Sequence, residues 1–155
     1  MMLEDLRQRV QNKNILILGV GNLMRADDGV GPLMIERLHG KVHVPLLDAG
    51  DVPENYLGPI EQAHADLVLV IDAADLGAHP GDLSLLGRDQ LSGIGLSTHS
   101  SNLSLVFEAL PANSRPEVLL LVVQPESTEF GGEPSPAVMT TMDILEVLLI
   151  DLFGK

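Results

Sequence analysis

Two kinds of apolar pattern alternate along this chain. Ile15 to Val20, Leu67 to Ile71 and Glu117 to Val123 are short and almost continuously apolar, as central strands covered on both faces require. Between them the apolar positions fall at helical spacing. Leu3, Leu6 and Val10 predict a short opening helix. Val30, Leu33, Met34 and Leu38 share one face of a helix over Gly29–His39, with Pro32 in its first turn and Gly40 to end it. Val42 to Leu47 predicts a second strand ending on Asp48. Pro53 to Ala63 predicts a helix blemished by Gly58-Pro59. The turn His79-Pro80-Gly81-Asp82 leads into a short edge strand, Leu83 to Leu86. Asn102 to Leu110 predicts a helix, and Ser135 to Phe153 a closing one after the loop Gly131-Gly132-Glu133-Pro134.

Strands alternating with helices predict a doubly wound α/β sheet of five strands. At 155 residues the simplest organisation is a single domain, 1–155. No repeat, linker or low-complexity tract interrupts it.

Composition narrows the function classes. Asp and Glu number 22 against 9 Lys and Arg, a net charge of −13. That charge repels nucleic acid and anionic lipid, so neither is expected as a partner. There is no cysteine, which excludes disulfides, thiolate zinc sites and a cysteine nucleophile. No apolar run approaches the ~20 residues of a membrane span. The charged first residues, Met1 to Asn14, lack the apolar centre of a secretory signal. A cytoplasmic protein is expected.

In a parallel sheet, ligands gather outside the carboxyl ends of the strands. Three polar groups are expected there. The first strand leads through Gly19-Val20-Gly21-Asn22 into Asp27-Asp28; the third ends on Asp72; and His99 lies in a polar loop before a helix. Two carboxylates and an imidazole can hold a divalent metal or run acid–base chemistry. Asp27 and Asp28 are adjacent, so their side chains point apart. One is expected to cap the helix starting near Gly29 and the other to serve chemistry; adjacency leaves open which. Asp75 and Asp48 are weaker candidates. His39, His43, His64 and His79 read as surface or packing residues.

Competing chemistries fail on specific residues. A dinucleotide fingerprint needs a third glycine where Met24 stands; a tight turn, with Gly21 for the backbone and Asn22 bonding loop amides, is the better reading. The serine-hydrolase elbow is absent around Ser97, and so is H-E-x-x-H. A receiver-type phosphoacceptor would need a late-strand lysine, and none lies between Lys41 and Lys155.

The run Leu18-Gly19-Val20-Gly21-Asn22 with Asp27-Asp28-Gly29-Val30-Gly31, then Asp48-Ala49-Gly50 with Pro53-Glu54-Asn55, Val70-Ile71-Asp72-Ala73-Ala74-Asp75, Pro80-Gly81, Thr98-His99 and Gln124-Pro125, resembles the hydrogenase maturation endopeptidases. The Pro-Glu-Asn element points to their HycI-like branch. The resemblance implies a three-layer α/β/α sandwich around a twisted, mostly parallel sheet. It implies an endopeptidase, working as a monomer, that removes the C-terminal extension of the nickel-loaded precursor of the nickel–iron hydrogenase large subunit. By motif position it places the metal-binding and catalytic residues at Asp28, Asp72 and His99. The nickel is then the precursor's own, and zinc or cadmium is able to occupy the same site. Members often carry Glu at the position of Asp28, and Gly near Val122. A non-enzymatic nickel-binding or chaperone-like module for the same precursor is the alternative.

Overall fold

A computed structural model describes residues 2–93 and 98–155 of the chain, without the side chains of residues 91–102. Helix α1 (Met2–Val10) precedes β1 (Ile15–Gly19). Helix α2 (Val30–Leu38) leads to β2 (Leu46–Asp48), and α3 (Leu57–Gln62) to β3 (Leu67–Ala73). Strand β4 (Leu83–Gly87), α4 (Thr98–Ala109), β5 (Glu117–Val123) and α5 (Pro136–Phe153) complete the order. The sheet runs β2-β1-β3-β5-β4. All neighbours pair in parallel except the edge strand β4, which is antiparallel to β5.

The side-chain alternation of the strands divides the core in two. Ile15 and Ile17 of β1 and Leu67, Leu69 and Ile71 of β3 pack with Leu6, Met34, Leu38, Val138, Met142 and Leu145, so α1, α2 and α5 cover one face. Leu16, Leu18, Val68 and Val70 pack with Ile60, Leu103, Val106 and Phe107, so α3 and α4 cover the other. This is the three-layer sandwich around a mostly parallel five-stranded sheet. Among the described residues no helix is long and apolar enough to cross a membrane.

Two elements differ from the sequence pattern. The second strand pairs only over Leu46–Asp48. Pro45 has no N–H for a ladder, and upstream of it the chain turns to the C-terminus instead: Val42 bridges Gly154, and the His43 N–H donates to Phe153 O at 2.9 Å. The helix over 53–63 opens as a 3-10 turn, Pro53–Tyr56, and becomes α-helical only at Leu57.

The sheet order creates a switch point. From β1 the chain crosses to β2 over one face by way of α2, then returns to β3 over the other by way of α3. The chain leaves β1 toward β2 on one side and leaves its neighbour β3 toward β4 on the other, and ligands of α/β sheets bind at the carboxyl ends of strands where the order reverses in this way.

Candidate active site

Asp28 and Asp72 sit at that switch point. After β1 the chain makes a 3-10 turn, Ala26–Gly29, which packs against β3. Two glycines allow the approach. Gly21 has φ +142°, and a Cβ there would lie 1.9 Å from the carbonyl oxygen of Asp28. A Cβ on Gly31 would lie 2.4 Å from the carbonyl oxygens of both Val20 and Ile71. The start of α2 thus lies directly on the ends of β1 and β3.

Asp28 is buried at 7% exposure and Asp72 at 3%. Asp28 Oδ2 accepts the N–H of Asn22 at 3.0 Å, and the Asp28 carbonyl shares that donor at 3.2 Å. Asp72 does not end its strand, because β3 continues through Ala73, whose N–H donates to Asp72 Oδ1 at 2.8 Å. Alternation with Val68 and Val70 places Asp72 on the sheet face covered by α3 and α4. Its partner on β5 is Val122, from the same apolar cluster. Burying a carboxylate is costly unless partners answer its charge, and both of these are kept in the interior beside the rim.

Helix α4 begins at Thr98, four residues earlier than the sequence pattern predicts, so the backbone of His99 lies in its first turn rather than in a loop. Helix α4 packs on the 3-10 turn Pro53–Tyr56 that follows β2. The His99 imidazole lies outside the described residues. Among the described residues, no three His, Asp or Glu side chains are grouped to hold a metal ion. The structure brings the Asp28 turn and the Asp72 strand end together; the third proposed ligand is placed only by its backbone.

The expected division of labour between Asp27 and Asp28 takes a different form. Neither caps α2: its N-cap is Gly29, with no side-chain cap bond. Asp27 is fully buried and fastens the distant loop 126–135. Its Oδ2 accepts the N–H groups of Glu126 (2.8 Å) and Ser127 (3.2 Å) and the Ser135 hydroxyl (2.9 Å); its Oδ1 accepts the Ser135 N–H at 2.6 Å. Four donors are satisfied by one carboxylate that is itself kept in the interior.

The weaker candidates are loop fasteners. Asp48 accepts the N–H of Gly50 at 2.9 Å. Asp75 is exposed; its carboxyl is held below its usual value, first by the N–H of Gly77 and then by the amide of Gln124, against a small opposing effect of desolvation. Asn22 Oδ1 accepts the Met24 N–H at 2.9 Å, as its turn role requires. His39, His43, His64 and His79 are exposed.

Sequence reasoning missed Gln124 as an organiser. This buried side chain accepts from Leu76 N (2.6 Å) and Ala78 N (3.2 Å) and donates to Asp75 and the Pro125 carbonyl, fixing the loop that follows Asp72. A polar residue straight after six apolar strand positions was the available signal. A cavity of about 470 Å³, lined by Lys13, Ile15, His43 and Phe153 among others, lies at the opposite edge of the sheet, where β1 begins. It is remote from the buried acids.

Known proteins match this chain across most of its length. The family model for HycI, hydrogenase maturation protease, matches residues 31–151. The hydrogenase 3 maturation protease of Escherichia coli K12 is 31% identical over 118 residues, covering 74% of this chain and 75% of that protein. The hydrogenase expression/formation protein HupD of Bradyrhizobium diazoefficiens is 33% identical, covering 83% and 71%. The crystal structure of a [NiFe] hydrogenase maturation protease HycI from Thermococcus kodakarensis superposes with a TM-score of 0.81 at 31% identity, covering 96% of this chain and 97% of that one. With family model, relatives and superposed structure in agreement over one continuous α/β unit, the chain belongs to the hydrogenase maturation proteases.

Proposed function

We propose that this protease removes the C-terminal extension of the nickel-loaded precursor of the nickel–iron hydrogenase large subunit, in the cytoplasm and as a monomer, with Asp28, Asp72 and His99 meeting the precursor's nickel. One observation carries the reading. In a chain of this family, two carboxylates are buried at the switch point of the sheet, Asp28 on a turn packed against β3 and Asp72 near the end of β3 itself, where α/β proteins bind their ligands.

The donor set suits a divalent transition metal. Carboxylate oxygens and an imidazole nitrogen are accepted ligands for nickel, and equally for zinc or cadmium. The metal, once bound, supplies Lewis-acid chemistry, polarising a carbonyl or acidifying a water. The chain's own residues do the rest. Asn22 N–H orients the Asp28 carboxylate, and Ala73 N–H orients that of Asp72. Asp27 and Gln124 hold the loops on either side. Without thiolates or a second histidine in the proposed set, the ion is held weakly by the enzyme alone. That suits an inspection step, in which nickel already seated in the precursor completes its coordination on the enzyme and so places the peptide bond.

The test is cleavage of nickel-loaded and nickel-free precursor by chelator-treated enzyme. Cleavage of the loaded form alone is expected. Equal rates on both would refute the inspection step and leave the protease. Stable binding of loaded precursor without cleavage would return the chaperone-like alternative.

A further inference from the structure

The rim beside Asp28 carries an unusual surface. Leu23, Met24 and Phe130 are 54%, 60% and 70% exposed. Leu23 and Met24 belong to the turn that closes on Asp28 through Asn22; Phe130 belongs to the loop that Asp27 fastens. The two segments are joined directly. Gly131 N–H donates to Met24 O at 2.7 Å, and Arg25 Nε donates to Thr128 O at 3.2 Å. The backbone of Leu23 also lies against Gly29, where a Cβ would come within 2.9 Å of its Cα. The space beneath is filled by buried Ala26, Asp27 and Asp28, so these side chains are held outward by a fixed frame.

We propose that Leu23, Met24 and Phe130 form the docking surface for an apolar, basic-flanked segment of the protein substrate beside its scissile bond. The inference rests on the proteolytic reading above. Exposed apolar patches mark interaction sites, and this one borders the acids that would do the chemistry. Charge selects the occupant. Glu126, Glu129, Glu133 and Asp51 are exposed around it, and Arg25 is the sole Lys or Arg in segments 21–29 and 124–135. An acid-ringed patch on a chain of charge −13 repels a second copy and an anionic membrane. It attracts a polypeptide carrying Lys or Arg beside its apolar residues.

The experiment uses full-length enzyme and purified nickel-loaded precursor. The double variant Met24→Ser, Phe130→Ser is expected to raise KM at least ~10-fold, the loss of one good hot spot, with kcat and melting temperature unchanged. Glu129→Lys with Glu133→Lys is expected to raise KM as well, and added salt to weaken the wild type. Ile144→Ser with Val147→Ser, at 61% and 70% exposed positions of α5, is the control and is expected to change nothing. Wild-type cleavage with an unaltered KM in the double variant overturns the docking surface alone. So does an equal loss in the α5 control, or wild-type self-association that the double variant abolishes. A wild type that neither binds nor cleaves the precursor overturns the proposed function, and this inference with it.

Discussion

The two ends of the sheet use acidic residues in opposite ways. At the carboxyl end Asp27, Asp28 and Asp72 are buried, and uncharged backbone or hydroxyl donors reach each of them. At the amino end Glu117 is half-exposed between two cations, Arg9 at 2.9 Å and Lys13 at 3.0 Å. Fixed dipoles in the interior hold a charge in one geometry with little reorganisation; a solvated ion pair holds it loosely and shares it with salt. The same residue types therefore lie buried and fixed at one end and trim a solvated surface at the other.

The sharpest break in this contrast is chemical. Asp28→Asn, Asp72→Asn and His99→Ala are each expected to lower precursor cleavage by more than about 100-fold, the scale on which positioned acid–base groups act. Each is expected to keep the fold, measured by thermal melting beside the cleavage assay. Normal cleavage by any one variant removes that residue from the mechanism.

Asp27 gives the next largest effect, and on stability. Asp27→Ala strands three N–H groups and a hydroxyl in the interior. The cost is about 3 kcal/mol, a fall of roughly 6–12 °C in melting temperature for a domain of this size. Asp27→Asn, which keeps an acceptor oxygen, is expected to lose less. A melting temperature within a degree of wild type for Asp27→Ala would mean the loop is held by something else.

The amino end supplies the smallest effect. Desolvation pushes the Glu117 carboxyl up, but Lys13 and then Arg9 pull it further down, so it lies below its ordinary value. A depressed acid stabilises the fold above its unfolded pKa and loses that contribution as pH falls through the folded one. Glu117→Gln is expected to cost at most about 1 kcal/mol at neutral pH, given its exposure. The difference from wild type is expected to shrink with added salt, to fade as the pH falls below the ordinary glutamate value of about 4.3, and to vanish only below the depressed folded value. Melting curves across pH and salt measure it; a cost that grows in acid would contradict the assignment.

What could be read in the sequence depended on range. The apolar runs of β1, β3 and β5 announce buried strands because burial on both faces is a local composition. The placement of Asp72 near a sheet rim followed from the apolar run before it, although the strand continues one residue further, through Ala73. The separate duties of Asp27 and Asp28 were not legible, because the donors that decide them come from residues 99 to 108 positions away. The shortened β2 was hidden for a similar reason: Val42 finds its partner at Gly154. The early start of α4 was masked by Ser97 to Ser101, a polar stretch whose composition suits a loop.

The fastening of loop 126–135 by Asp27 also sets a calendar. During synthesis the chain emerges from its amino end, so Asp28 and Asp72 are available once β3 is out. The segment that satisfies Asp27, and carries Phe130 to the rim, arrives more than fifty residues later. Until then Asp27 has none of its four donors, and the turn bearing Asp28 lacks its main anchor. A nascent chain thus gathers its acids well before it can present them, and cleaving ability is among the last properties the folding protein acquires.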